Sequence, residues 1–153
     1  MKKSFLLSLA LMLAMVMGTF AMNAQSAVKW TSSVKMTSAN EGIITIVANI
    51  DEGWHMYGFN QSPDGPVSTS VSVTAPKGVK FTDKLGYTPA PKSVQDDMFG
   101  CEVTYWENKV TFSRHFKLSK VKEPKVTFSI NYMVCNDTNC QPPMTEDIQL
   151  VLK

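Results

Sequence analysis

Val126-Thr127-Phe128-Ser129-Ile130-Asn131-Tyr132-Met133-Val134 puts Val126, Phe128, Ile130, Tyr132 and Val134 on one side and Thr127, Ser129 and Asn131 on the other. Such alternation marks a strand with one face on a core and the other in water. Ile148, Leu150 and Leu152 repeat the pattern further on, and between the two runs lies Cys135-Asn136-Asp137-Thr138-Asn139-Cys140-Gln141-Pro142-Pro143. The cysteines therefore sit at the mouth of a β-hairpin, where Cα atoms approach to the ~4.4–6.8 Å that a disulfide needs. Asn136, Asp137 and Asn139 suit the tight turns and positive φ values of such a loop.

Strand signals recur outward from this hairpin. They cover Val28 to Met36 weakly, Gly42 to Ile50 strongly, Val67 to Thr74 and Gly78 to Phe81. Val103 to Trp106 leads through a turn at Asn108-Lys109 into Val110, Phe112, Arg114, Phe116 and Leu118. Nothing after the N-terminus sustains a 3.6-residue apolar period. Pro63, Pro66, Pro76, Pro89, Pro91 and Pro124 would break helices where they stand. Many short strands between turn signals predict an all-β fold, an immunoglobulin-like antiparallel β-sandwich. Two stretches do not read as plain strand: the aromatic turn Asp51 to Gly58, and the polar loop Pro89 to Gly100. The second ends in Asp96-Asp97-Met98-Phe99-Gly100, whose apolar pair either covers something or begins the next strand and packs inward.

The N-terminus is of another kind. Lys2 and Lys3 precede an apolar run from Phe5 to Met17, and small residues then offer cleavage after Ala21 or Ala24. This is the pattern of a secretory signal peptide over residues 1–24, leaving one domain over residues 25–153. The run is shorter than the ~20 residues of a spanning helix, and no stable membrane insertion of the mature chain is expected. Two of the 15 basic residues leave with the signal and all 13 acidic ones stay, so the mature chain is near neutral. Such a balance gives no reason to expect nucleic acid as a partner. Export leads to a compartment where disulfides persist, in a bacterial setting the periplasm. Of three cysteines, Cys135 and Cys140 are the local pair and Cys101 is left over.

A disulfide closing so small a ring stabilises by only about 2 kcal/mol in the chain-entropy model. A short, exposed bond is of the kind that exchanges with a partner thiolate. The residues alone leave two readings open: a redox-active pair, or a structural hairpin disulfide in an exported binding module. A metal site from Cys135, Cys140, a histidine and a methionine is a third, but Cys-x4-Cys supplies two ligands with no second pair nearby. No metal and no cofactor is expected. His55 is either a charge partner for the cysteines or a hydrogen-bonded residue of a half-buried turn, and His115 reads as a surface residue of its strand.

In order and spacing, Gly53-Trp54-His55-Met56-Tyr57, Gly65-Pro66, Pro89-Ala90-Pro91-Lys92, Asp96-Asp97-Met98-Phe99-Gly100 and Cys135-x4-Cys140-x-Pro142-Pro143 resemble the N-terminal periplasmic domain of the DsbD thiol–disulfide reductase family. The resemblance runs from about Trp30 to Lys153. It implies an immunoglobulin-like sandwich, with Cys135 and Cys140 as the active pair and Cys140 as the sulfur that forms the mixed disulfide. It implies a cap over the pair at Asp96, Met98 and Phe99, and flanking aromatic positions at His55 and Tyr57. It also implies a shuttle that takes electrons from a thioredoxin-like protein or domain and passes them to oxidised periplasmic proteins, a task linked to cytochrome c biogenesis. The chain ends at Lys153 without a membrane or thioredoxin-like domain, so its donor is expected to be another polypeptide.

Overall fold

The computed structural model describes residues 25–153; the signal-peptide reading falls on residues 1–24, outside the described residues. Twelve strands follow one another: β1 Val28–Met36, β2 Glu41–Ile50, β3 His55–Tyr57, β4 Ser70–Thr74, β5 Val79–Phe81, β6 Gly86–Thr88, β7 Lys92–Asp96, β8 Cys101–Glu107, β9 Lys109–Leu118, β10 Lys125–Tyr132, β11 Val134–Cys135 and β12 Met144–Val151. Every pairing is antiparallel. One sheet runs β1-β2-β9-β5, with β6 also on β9; a second runs β12-β10-β4; a third, smaller one runs β11-β3-β8-β7.

Alternation builds the core. Ile44, Ile46, Ala48 and Ile50 of β2, with Val110, Phe112 and Phe116 of β9, turn inward from the first sheet. Val126, Phe128, Ile130 and Tyr132 of β10 turn inward from the second, all at most 2% exposed. Both sets belong to one buried cluster that also holds Trp106. The immunoglobulin-like antiparallel sandwich read from the sequence is the fold. Asn108, with φ of 62°, turns β8 into β9 where the hairpin was expected. A left-handed residue there is typical of asparagine.

Three expectations need correction. Pro89 to Gly100 is not wholly loop, because Lys92–Asp96 pairs with Cys101–Glu107 as a hairpin. The strand is invisible in the sequence because it lies at a sheet edge and exposes Lys92, Ser93, Val94 and Gln95. The Asp51 to Gly58 turn likewise holds β3, too short for a period. In the Val67 to Thr74 run, only Ser70 onward pairs with β10. Thr69 is drawn away, its amide donating to Gly58 O and its hydroxyl to Tyr57 O at 2.6 Å.

The break at Met133 positions the site. As far as Tyr132 the chain pairs with β12; from Val134 it pairs with β3 in the small sheet. The cysteine loop thus leaves the hairpin that flanks it and joins another sheet.

Candidate functional site

The small sheet has two unlike faces. Met56, Trp106 and Val134 belong to the main core. Tyr57, Val103 and Cys135 form a separate buried cluster, with Phe99, Cys101, Tyr105, Met133 and Cys140 packed against it. Side chains alternate across a strand, so His55 and Tyr57 of β3 and Tyr105 and Glu107 of β8 share the face of Cys135. The register pairs Cys135 with His55, and His55 with Glu107.

Cys135 and Cys140 form a disulfide with Cα atoms 4.0 Å apart, closer than the ~4.4–6.8 Å expected. They oppose each other in a one-pair antiparallel bridge. The loop between them has no positive-φ residue; among described non-glycine residues only Asn60, Asn108 and Lys120 have positive φ. Asn136 shapes the turn through its side chain instead. Its Oδ1 accepts from Thr138 N at 3.0 Å and Asn139 N at 2.7 Å, while its amide donates to Asn139 O. These are the local bonds that suit asparagine to turns. The two sulfurs differ in access: Cys135 is 1% exposed, whereas Cys140 is half-buried.

The β7–β8 hairpin lays its tip against the pair. Asp96 Oδ1 accepts from Met98 N at 2.8 Å and Phe99 N at 3.0 Å, and Gly100 N donates to Asp96 O. Gly100 takes φ of 65°, a conformation that costs glycine little. Met98 Sδ then lies 3.9 Å from Cys140 Sγ. A disulfide sulfur carries no proton, so this is van der Waals contact. Phe99 meets Tyr57 edge-on with ring centres 5.8 Å apart. Met98 and Phe99 therefore do not start β8; they form the hairpin tip, with Met98 on Cys140.

His55 Nε2 lies 3.2 Å from the Tyr57 hydroxyl, and its ring is 4.8 Å from that of Tyr105. Burial lowers the His55 pKa, and Asp96, Glu107 and Asp137 only partly offset it. Burial, helped by Asp96 and Tyr105, raises the Tyr57 hydroxyl to about 12. A cleft of about 220 Å³ reaches this group, lined by His55, Tyr57, Asp96, Asp97, Met98, Asn136 and Asp137. His55 is thus both half-buried and hydrogen-bonded, and it lies beside the pair.

Cys101 is a free, half-buried thiol in the small cluster. His115 lies on β9, outside the site, and pairs with Asp83 at 2.6 Å. Among the described residues no three of His, Cys, Asp and Glu gather as a metal site, and no helix is long and apolar enough to cross a membrane. Sequence reasoning assigned no role to Gln141. Its Oε1 accepts from Ala27 N and its Nε2 donates to Gln25 O, both at 3.2 Å, tying the Cys140 arm to the entry of β1. Tyr105 was also missed, although alternation back from Trp106 would have put it on the site face.

Fold and site together define an immunoglobulin-like sandwich with a small-ring disulfide beneath a hairpin tip. The family model for thiol:disulfide interchange protein DsbD, N-terminal, matches residues 23–152, and the chain belongs to that family. That membership associates the chain with thiol–disulfide exchange in general. Among solved structures, the N-terminal periplasmic domain of ScsB from Proteus mirabilis is similar at 15% identity with a TM-score of 0.58. The match covers 86% of this chain and 48% of that one, so the chain spans about half the length of that relative. The reduced DsbD N-terminal domain of Neisseria meningitidis is similar at 13% identity and TM-score 0.48, covering 82% of this chain and 85% of that one. The complex of the DsbD and PilB N-terminal domains from Neisseria meningitidis is matched at 12% identity and TM-score 0.47, covering 78% and 80%. No curated protein matches the sequence significantly.

Proposed function

We propose that the chain is a periplasmic exchange protein that shuttles reducing equivalents through Cys135 and Cys140. A thioredoxin-like protein or domain donates them, and oxidised exported proteins accept them. In this reading residues 1–24 are a cleaved signal peptide and residues 25–153 are the working domain. The observation that carries it is the asymmetry of the pair: a buried Cys135 joined to a half-buried Cys140 whose sulfur touches Met98 at the hairpin tip. A partner thiolate attacks Cys140 Sγ, the S–S bond breaks, and Cys135 leaves as the thiolate. The partner's second thiolate then attacks its own sulfur in the mixed disulfide and releases Cys140. The partner dithiol is oxidised and the domain is reduced by two electrons. Exchange requires access to the attacked sulfur, and here access favours Cys140. Asp96 holds the tip, Met98 and Phe99 cover the pair, and His55 and Tyr57 line it.

The test is equilibration of the purified domain with a thioredoxin-like dithiol and with glutathione. The reading expects reduction by the dithiol and a potential well above the ~−300 mV below which structural bonds lie. A lower potential with no thioredoxin-dependent reduction would make the disulfide a staple in a binding module.

A further inference from the structure

The face that holds the pair is hostile to a standing Cys135 thiolate. Cys135 is 1% exposed, and burial in apolar surroundings disfavours the charged form of a thiol. The charged groups around His55 are acidic: Asp96 and Asp97 from the β7–β8 tip, Glu107 from β8 and Asp137 from the cysteine loop. Lys92 of β7 is committed to Glu107. The uncharged titratable neighbours are Tyr57 and Tyr105, and the free Cys101 thiol packs in the same small cluster. No cation here steadies a thiolate, so the Cys135 proton must be removed within the step that uses the sulfur.

The register places one base for this. Cys135 and His55 are directly opposed on β11 and β3, and opposed residues share a face with Cβ atoms ~4.5–5.5 Å apart. Resting on the shuttle reading above, we propose that His55 is the base that takes the Cys135 proton when the domain passes its electrons on. Cys140 thiolate attacks the acceptor disulfide, forming a mixed disulfide and releasing the first acceptor thiolate. The Cys135 proton moves to Nδ1 of His55 in the tautomer whose Nε2–H donates to the Tyr57 hydroxyl 3.2 Å away. In the same step Cys135 sulfur attacks Cys140 Sγ; the Cys135–Cys140 bond forms and the Cys140–acceptor bond breaks. The second acceptor sulfur leaves as thiolate and takes a proton from solvent, and the imidazolium loses its own through the cleft beside Asp137. The dithiol is oxidised and the acceptor disulfide is reduced. A burial-lowered pKa keeps the imidazole neutral, the form a base requires.

The test uses the protein with Cys101→Ala, so that only the pair reacts. Reduced protein is mixed with dithiobis(nitrobenzoate), and the second release of thionitrobenzoate reports attack of Cys135 on the Cys140 mixed disulfide. With His55 present, the rate should rise as the imidazole loses its proton and then level off. His55→Gln should resolve about a hundredfold more slowly at neutral pH, the low end of what a positioned base contributes, and its rate should keep climbing with alkali. Added imidazole should restore His55→Ala, which a merely structural histidine would not allow. Wild-type rate and pH profile in His55→Gln, or a slow His55→Ala that imidazole leaves slow, overturns the base. No second release with His55 intact would overturn the exchange reading as well.

Discussion

Replacing Met98 with alanine separates cover from core. Met98 is 56% exposed, so a little under half of it is covered, and its sulfur touches Cys140 Sγ at 3.9 Å. Full burial of a methionine is worth ~1.5–3 kcal/mol, so this side chain contributes about 1 kcal/mol, much of it across the gap between hairpin tip and cysteine loop. Removing it from the closed arrangement favours the open one by about fivefold, since 1.4 kcal/mol is tenfold. In the reduced protein carrying Cys101→Ala, iodoacetamide should therefore label Cys140 about fivefold faster in Met98→Ala. Denaturant midpoints should show a global loss of no more than about 1 kcal/mol. Mass spectrometry of the alkylated peptide gives the rate and the site together. Unchanged labelling beside a loss of several kcal/mol would make Met98 a core residue and refute the cap.

Other perturbations reach other parts of the account. Phe128→Ala, at 0% exposure in the centre of β10, should cost ~3–5 kcal/mol in urea unfolding; a loss below 1 kcal/mol would put the core elsewhere. Gln141→Ala removes two bonds to the entry of β1 and should speed hydrogen exchange at the Ala27 amide while leaving β10 amides protected; equal exchange would show that the clip is idle. The folded state holds His55 below its ordinary value, so the unfolded chain takes up that proton first, near pH ~6.5. Stability should thus fall as pH drops from ~6.5 toward the lower folded value and be indifferent to this group above it. In His55→Gln that part of the acid-side loss should vanish from the pH dependence of the melting temperature.

Legibility in the sequence followed burial. β2, β9 and β10 each bury one face against a core, so their alternation showed at once. β3 and β6 are three residues each and β7 faces water, and such elements carry no periodic signal. Cys135, Cys140 and the Asp96 to Gly100 tip were visible because rare residue types and turn chemistry mark them. Their mutual contact was implied only by the family resemblance and not by pattern or spacing, because it depends on the chain changing sheets at Met133. Gln141 hid for the same reason: its partners at Gln25 and Ala27 lie more than a hundred residues away. The flanking strand patterns placed the pair at the mouth of a hairpin, whereas Cys135 pairs with a strand of another sheet. Positive φ was expected among Asn136, Asp137 and Asn139, but none takes it, and the Asn136 side chain does the same work by bonding the loop amides.

Trapping the mixed disulfide is the most direct measurement. A thioredoxin-like partner lacking its own resolving cysteine is incubated with each single-cysteine variant of the pair, both carrying Cys101→Ala, and covalent complexes are resolved by non-reducing electrophoresis. With Cys135 buried and Cys140 half-buried, Cys135→Ser should accumulate the complex through Cys140, and Cys140→Ser should not. Complex through Cys135 alone, or none with either variant, would contradict the account.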